Sequence, residues 1–270
     1  LTIKFYKFQG TGNDFIIIDD RDLAFKQDEQ VIEKLCNRRF GIGADGLILL
    51  QNHPEADFFM KYFNSDGKES SMCGNGGRCI SAFYHFLGNV KQVVSFLAID
   101  GPHEATVKLL SSGKYEVELG MKDVSHFQHI VDDIVLNTGS PHYVRFKQDD
   151  ITGCNLMEIA QQIRYNDTYK QTGINVNLVN EIDPNHIRIR TYERGVENET
   201  LSCGTGATAS AIALAIKNKL ISGNYEIKTD VAGGNLVIRY QYDSQSNSFS
   251  QVQLCGPAHF VFSGEIAANF

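Results

Sequence analysis

Two cysteines stand in the same unusual surroundings. Cys73 lies in "SMCGNGGRC" (71–79) and Cys203 in "LSCGTGATASAIAL" (201–214). Each is followed at once by Gly-x-Gly, and then by a run of small and apolar residues that reads as a helix. The first turn of a helix carries unpaired N–H groups and a positive dipole end, so it binds anions and favours a thiolate over a thiol. Glycines at that turn let a ligand approach the backbone with no Cβ in the way. Two such clusters across one cleft would hold one carboxylate between two helix starts, with a thiol on each face of the carbon that bears it. That arrangement suits racemisation or epimerisation without cofactor or metal. One thiolate removes the α-proton while the opposing thiol protonates the other face. The two groups must start in opposite protonation states. Because the α-proton is only weakly acidic, preorganised donors in a dry site must stabilise the carbanion-like transition state.

The elements that would position the two thiols come from a duplicated chain. "GTGNDFIII" (10–18) is echoed by "NTGSPHYV" (137–144), with Gly12 and Gly139 separated by 127 positions. "GIGADGLILL" (41–50) has a weaker echo in "TGINVNLV" (172–179). "FFMKYFNSDG" (58–67) parallels "HIRIRTYERG" (186–195) at an offset of 128, and the two cysteines lie 130 apart. Landmarks in one order at nearly constant offset mark a two-unit duplication, not a solenoid of many short repeats. Alternating or β-branched runs predict strands at Ile3–Phe8, Asp14–Asp20, Phe58–Asn64, Val93–Asp100, Glu104–Leu110 and Tyr115–Leu119. The second half predicts them at Tyr143–Phe146, Asn175–Val179, His186–Arg190, Tyr225–Thr229, Asn235–Tyr240 and Phe260–Ile266. Short turns such as "SSGK" and "AGGN" favour antiparallel hairpins. Helices are expected at Arg78–Leu87 and Ala207–Lys217, the second small or apolar on nearly every face and therefore buried all round. The expected fold is α+β: two pseudo-symmetric lobes, each a curved, mainly antiparallel sheet or barrel around a central helix. The first lobe is expected to span 1–120, completed by a C-terminal strand within 257–270, and the second 121–256.

Bulk properties narrow the function classes. The chain has 270 residues, 42% of them hydrophobic, and a net charge of −7. These values describe a globular protein with a real core and argue against nucleic acid or an acidic membrane surface as partner. No apolar stretch reaches the length of a membrane span, and the opening "LTIKFYKFQG" alternates like a strand and not like a signal peptide. The six cysteines show neither CxxC nor Cys/His ligand spacing, which predicts cytosolic thiols, a cytoplasmic location and no metal. Cys36, Cys154 and Cys255 read as buried small hydrophobes, and so does Cys79 if it lies in the first turns of its helix.

The motifs "GTGNDF", "GIGADG", "YFNSDG", "MCGNGGRC", "GSPHYV", "INVNLV", "YERGVENET" and "CGTGATA" occur in one order over essentially the whole length. In that combination the chain resembles the diaminopimelate epimerase family. The resemblance implies that Cys73 and Cys203 are the acid/base thiols. It implies that Gly74, Asn75, Gly76, Gly204 and Thr205 offer donors to the carboxylate at the reacting centre. Asn13, Asn64, Asn175, Glu193 and Arg194 match positions that hold the amino groups and the distal carboxylate, and His142 matches a polar neighbour of the thiols. Glu193 would also support their proton balance. The implied reaction is conversion of LL-diaminopimelate to the meso form, in lysine and peptidoglycan precursor biosynthesis. The only partner implied is that small molecule, with room for a homodimer. There are two departures: many members carry Asn where this chain has Ser140, and some have Gln near Gly46.

Other readings are weaker. Arg78 follows Cys73 one position too early for a Cys-x5-Arg phosphatase loop, and "GNGG" is not a nucleotide-binding G-x-G-x-x-G. By residue type alone Asn13 and Asn64 are ordinary turn residues, His142 a structural histidine, and Arg194 either an ordinary surface arginine or a carboxylate binder. The alternatives that remain are a racemase or isomerase of the same fold acting on another amino or hydroxy acid, and a thiol switch built on Cys73 and Cys203.

Overall fold

The computed structural model describes residues 2–70 and 72–267. Leu1, Ser71 and residues 268–270, which fall inside the expected first lobe, lie outside the described residues. The chain divides into two units, Leu1–Leu119 with Gly256–Phe270, and Gly120–Cys255.

In the first unit the strands are β1 (Thr2–Gly10), β2 (Asn13–Asp19), β3 (Gly46–Gln51), β4 (Phe58–Asn64), β5 (Val93–Ala98), β6 (Gly101–Ser111) and β7 (Lys114–Gly120). Helix α1 (Glu29–Cys36) lies between β2 and β3, and α2 (Gly74–Phe86) between β4 and β5. The unit closes because the last part of the C-terminal strand pairs antiparallel with both β7 and β1. Eight strands therefore form a closed barrel, which leaves no edge unpaired. The β2–β3 and β4–β5 pairs are parallel and the rest antiparallel. Parallel neighbours need a crossover, and α1 and α2 are those crossovers. Of the two, α1 packs outside on Ile16, Leu47 and Leu49, while α2 is buried from Gly74 to Tyr84.

The second unit repeats the plan. Its elements are β8 (Phe127–Ile130), β9 (Asp133–Asn137), β10 (Pro141–Lys147), α3 (Leu156–Arg164), β11 (Asn175–Asp183), β12 (His186–Glu193), β13 (Asn198–Thr200), α4 (Gly204–Lys217), β14 (Gly223–Val231), β15 (Gly234–Asp243) and β16 (Ser248–Ala267). Here the parallel pairs are β10–β11 and β12–β14, at the places of β2–β3 and β4–β5. Helix α3 covers the outside of β11 and β12, and α4 runs through the core against Val144, Val179, Ile189, Ile227 and Ile238. Residues Gly206–Ala215 are all buried, as expected for a helix without a polar face. Each leucine or isoleucine side chain buried there contributes about 1.5–3 kcal/mol.

The structure corrects several expected boundaries. Both central helices start earlier, at Gly74 and Gly204, so the glycines form the first helical turn instead of a preceding loop. Glycine's poor helix propensity is outweighed because the sheet surrounds the helix and supplies the stabilising contacts. The helices α1 and α3, 8 and 9 residues long, were not among the expected elements, although each turns one apolar face to the core behind a capping side chain, Asp28 or Asn155. Strand β3 was missed because "GLILLQ" is buried on both faces and does not alternate. The expected Phe260–Ile266 strand is the end of a 20-residue strand that begins at Ser248.

Candidate active site

Four helices show two kinds of N-terminus. Asp28 caps α1 by accepting from the N–H groups of Gln30 and Val31, and Asn155 caps α3 by accepting from that of Glu158. In α2 and α4 the N-cap residues are Cys73 and Cys203, and neither side chain caps its helix. In a short-chain carboxylate ligand these first-turn N–H groups would find a natural acceptor. Among the described residues, then, the two sequence clusters sit at the two helix starts with no side-chain cap.

Around Cys73 the first unit assembles Asn13, Gly74, Asn75 and Gly76. Cys73 Sγ stands 3.6 Å from Asn13 Oδ1, which also accepts from Asn75 Nδ2 at 3.2 Å. The Asn13 amide cannot turn over, because its Nδ2 donates to Asp45 Oδ2 at 2.7 Å. Asp45 is held by Arg38, which also binds Asp14 through both terminal nitrogens, and Lys7 closes the chain on Asp14. Burial opposes ionisation of Asp14, but hydrogen bonds from Arg38 and Lys7 prevail and hold its carboxyl far below the usual range. Asn13 thus presents a fixed acceptor to the thiol.

The predicted Asn64 is placed less closely. It ends β4 in register with Gly46, its side chain is exposed, and its backbone shapes the turn by bonding Lys68 and Gly67. The neighbouring departure from the family pattern has a steric reason. A Cβ on Gly46 would lie 2.6 Å from Phe63 O and from the Tyr62 ring. Tyr62 fills the space that a side chain at position 46 would need.

Around Cys203 the second unit assembles Gly204, Thr205 and His142. Cys203 Sγ is 3.4 Å from Thr205 Oγ1, which is 2.9 Å from His142 Nε2. The other ring nitrogen, Nδ1, is 3.0 Å from Asn177 Nδ2. His142 is fully buried, and burial, together with the charge of Arg194, pushes it down to about 3. It is a neutral imidazole at ordinary pH. Asn175, Glu193 and Arg194 form a neighbouring group at the ends of β11 and β12. Asn175 Oδ1 accepts from the Arg194 N–H at 2.8 Å, and its Nδ2 donates to Ser140 Oγ and Pro141 O. Arg194 also donates to Ser140 Oγ at 3.4 Å, so Ser140 helps to orient an exposed guanidinium suited to a carboxylate. Glu193 accepts from Thr200 at 3.0 Å.

Of the remaining cysteines Cys36, Cys79 and Cys255 are buried, while Cys154, expected to be buried as well, is half-buried at the edge of the cluster under α3. Burial pushes the Cys36 and Cys79 thiols up to about 12, which leaves them inert. Arg78 is fully buried and bonds Thr11 and the Pro257 carbonyl, within the first unit. Among the described residues no group of three or more His, Cys, Asp or Glu is placed to hold a metal ion, and no helix is long and apolar enough to cross a membrane. Sequence reasoning passed over Asp45, Arg38, Asn177 and Thr191. Asn177 did leave a signal, a second asparagine in the apolar strand "NVNLV", on the same face as Asn175.

Comparison with known proteins adds identity to this geometry. The described likeness to solved structures is one of fold. A phenazine biosynthesis protein of the PhzF family from Bacillus anthracis superposes with a TM-score of 0.78 at 16% identity, over 99% of both chains. A probable proline racemase from Agrobacterium radiobacter gives 0.70 at 14% identity, over 99% of this chain and 93% of that one. Sequence relatives are nearer. Diaminopimelate epimerase from Flavobacterium psychrophilum is 49% identical over 261 residues, 96% of this chain and 98% of the relative. The enzyme of that name from Aquifex aeolicus is 36% identical over 281 residues, 98% of both. The family model for diaminopimelate epimerase matches residues 5–122 and 134–261, and the chain belongs to the diaminopimelate epimerase family.

Proposed function

We propose that the protein interconverts LL- and meso-diaminopimelate, with Cys73 and Cys203 as its two acid/base groups. The observation that carries this reading is the pair of cysteines at equivalent N-caps, each followed by a Gly-x-Gly first turn whose N–H groups no N-cap side chain accepts from. Epimerisation by two bases needs one on each face of the α-carbon, and each unit supplies one. Gly74, Asn75 and Gly76 in one unit and Gly204 and Thr205 in the other offer donors to the α-carboxylate. Charge that develops there in the carbanion-like transition state is stabilised by such fixed donors, the largest electrostatic contribution in this class of chemistry. Asn13, Asn64, Asn175, Glu193 and Arg194 hold the amino groups and the distal carboxylate, with Arg194 as the charged partner of the latter. His142 supports Cys203 through Thr205 and, held neutral, is not itself the acid or base of the reaction. The enzyme works in the cytoplasm on a free small molecule, and a homodimer is compatible with this role.

The test is incubation with LL-diaminopimelate in deuterium oxide, followed by proton NMR. Formation of the meso isomer with deuterium at the inverted α-carbon is expected. Exchange into a different amino acid and none into diaminopimelate would move the substrate assignment to another racemase of the same fold. A purely regulatory thiol pair would give no isomerisation in either redox state.

A further inference from the structure

Behind Thr205 the second unit buries a chain of polar side chains that the reaction itself does not touch. Thr191 Oγ1 donates to Asn177 Oδ1 at 2.9 Å, and Asn177 Nδ2 reaches His142 Nδ1 at 3.0 Å and the Tyr143 carbonyl at 3.4 Å. A carbonyl oxygen only accepts, so the nitrogen end of the Asn177 amide must face Tyr143 and His142. His142 Nδ1 is therefore the acceptor, and the proton of the neutral ring sits on Nε2. Nε2–H then donates to Thr205 Oγ1 at 2.9 Å. A hydroxyl that accepts from the ring directs its own proton elsewhere, and Cys203 Sγ stands 3.4 Å away. Asn177, His142 and Thr191 are all buried.

The duplicated first unit shows that the fold itself does not require these groups. The β3–β4 register pairs Ile48 with Tyr62 where β11–β12 pairs Asn177 with Thr191. The β2–β3 register pairs Phe15 with Gly46 where β10–β11 pairs His142 with Asn175. Phe15 and Ile48 are fully buried in the same architecture without a single side-chain polar atom. Burying His142 and Asn177 in their place costs desolvation that hydrogen bonding must offset. Their packing is also close: a Cβ on Gly206, in the first turn of α4, would lie 2.5 Å from Asn177 Oδ1 and 3.2 Å from Thr191 Oγ1.

We propose that Asn177, held by Thr191, is a positioning residue that locks neutral His142 in its Nε2–H tautomer and so turns the Thr205 hydroxyl proton onto Cys203 Sγ. The donor stabilises the thiolate over the thiol, because a hydrogen bond to the charged form is the stronger one. The charged residues at the end of β12 are Glu193 and Arg194. Arg194 acts on the ring by its charge, and Glu193 is engaged by Thr200. The inference deepens the proposed reaction by assigning Cys203 the resting role of base, and it rests on that reading only for its functional meaning.

The test reads the tautomer and the thiolate without substrate. Nitrogen-15 NMR of the intact protein should show His142 Nδ1 in the unprotonated range and Nε2 in the protonated range at neutral pH. A ring protonated on Nδ1 would overturn the proposal. The Cys203 thiolate is then read as the difference in ultraviolet absorbance between Cys73→Ser and Cys73→Ser/Cys203→Ser proteins. Adding Asn177→Leu, which fills the space without donating, should mix the tautomers and lower the thiolate fraction at neutral pH about tenfold. Thr191→Val leaves Asn177 in place but frees its oxygen end, and should lower it in the same direction by less. If the leucine variant fails to fold, the valine variant carries the test. An unchanged tautomer and thiolate in the folded variants would sink the lock. Should the lock hold while the wild-type protein exchanges no α-hydrogen of diaminopimelate, the proposed reaction falls and the positioning role stands.

Discussion

The surroundings of Cys73 and of Cys203 are built on one plan and finished with opposite polarity. Each cysteine occupies the N-cap position of a central helix without its side chain capping it, the first turn is Gly-x-Gly, and a polar side chain follows two residues on, Asn75 or Thr205. Around Cys73 the atom held against the sulfur is the Asn13 carbonyl oxygen at 3.6 Å, an acceptor that suits a thiol. Around Cys203 it is the Thr205 hydroxyl, backed by a ring N–H, a donor that suits a thiolate. The means of fixing also differ. The first unit uses charge, running from Lys7 through Asp14, Arg38 and Asp45 to Asn13. The second uses a neutral buried chain from Thr191 to Thr205. A duplicated fold can therefore acquire two chemically distinct ends by changing a few side chains behind the catalytic turn, without altering the backbone plan.

The comparison breaks most directly at the thiols. Cys73→Ser and Cys203→Ser should each lower full epimerisation of diaminopimelate by roughly a hundredfold to ten-thousandfold, the range for losing a positioned acid or base. A steady-state assay checks this, and retained turnover in both variants would remove the two-thiol mechanism.

Acid sensitivity should separate the two halves next. His142 has a folded value of about 3, below the ordinary 6.5. Between those values the unfolded chain binds a proton that the folded chain does not, so stability falls as the pH drops through this window, at most about 1.4 kcal/mol per unit. Asp14 is also depressed, from 3.8. Its contribution is present above about pH 4 and is lost only on further acidification. Denaturant titrations from neutral pH to pH 4 should therefore show a decline that His142→Gln reduces and Asp14→Asn does not. Equal slopes in the wild-type protein and His142→Gln would refute the assignment of this window to His142.

Glycine replacement sharpens the contrast at the helix starts. An alanine Cβ at Gly206 would strike the fixed Asn177 oxygen at 2.5 Å, whereas at Gly76 it would meet the ends of Ile48 and Met60 at 3.2 Å. Gly206→Ala should cost about 1–3 kcal/mol as overpacking, and Gly76→Ala less, since flexible side-chain ends can give way. Urea unfolding of the two variants orders them, and the reverse order would contradict the rigid packing of Asn177. The smallest effect is expected at Arg38, which is more than half exposed. Arg38→Ala should change stability by no more than about 1 kcal/mol, visible as a small shift in the urea midpoint.

The sequence by itself determined the duplication, the two Cys-Gly turns and the strands whose one face is buried. Those features are written in local periodicity and in repeated residue types, and they survive translation along the chain. Cys73, Cys203, Asn13, Asn175 and Arg194 were legible because they stand in motifs that name their own neighbours. Strand β3 was not legible, since burial on both faces erases alternation. Helices α1 and α3 were legible but passed over, since each sets an amphipathic run behind a capping Asp28 or Asn155. Only the tertiary structure decided that the glycines belong to the first helical turn, because the enclosing sheet outweighs their propensity. It alone set Asp45 against Asn13, and Asn177 against His142. Such partners lie 32 and 35 positions apart and meet only through strand register and parallel crossovers. The direction of a hydrogen bond onto a sulfur depends on which end of a buried amide faces inward. No local pattern encodes that; the packing around the amide does.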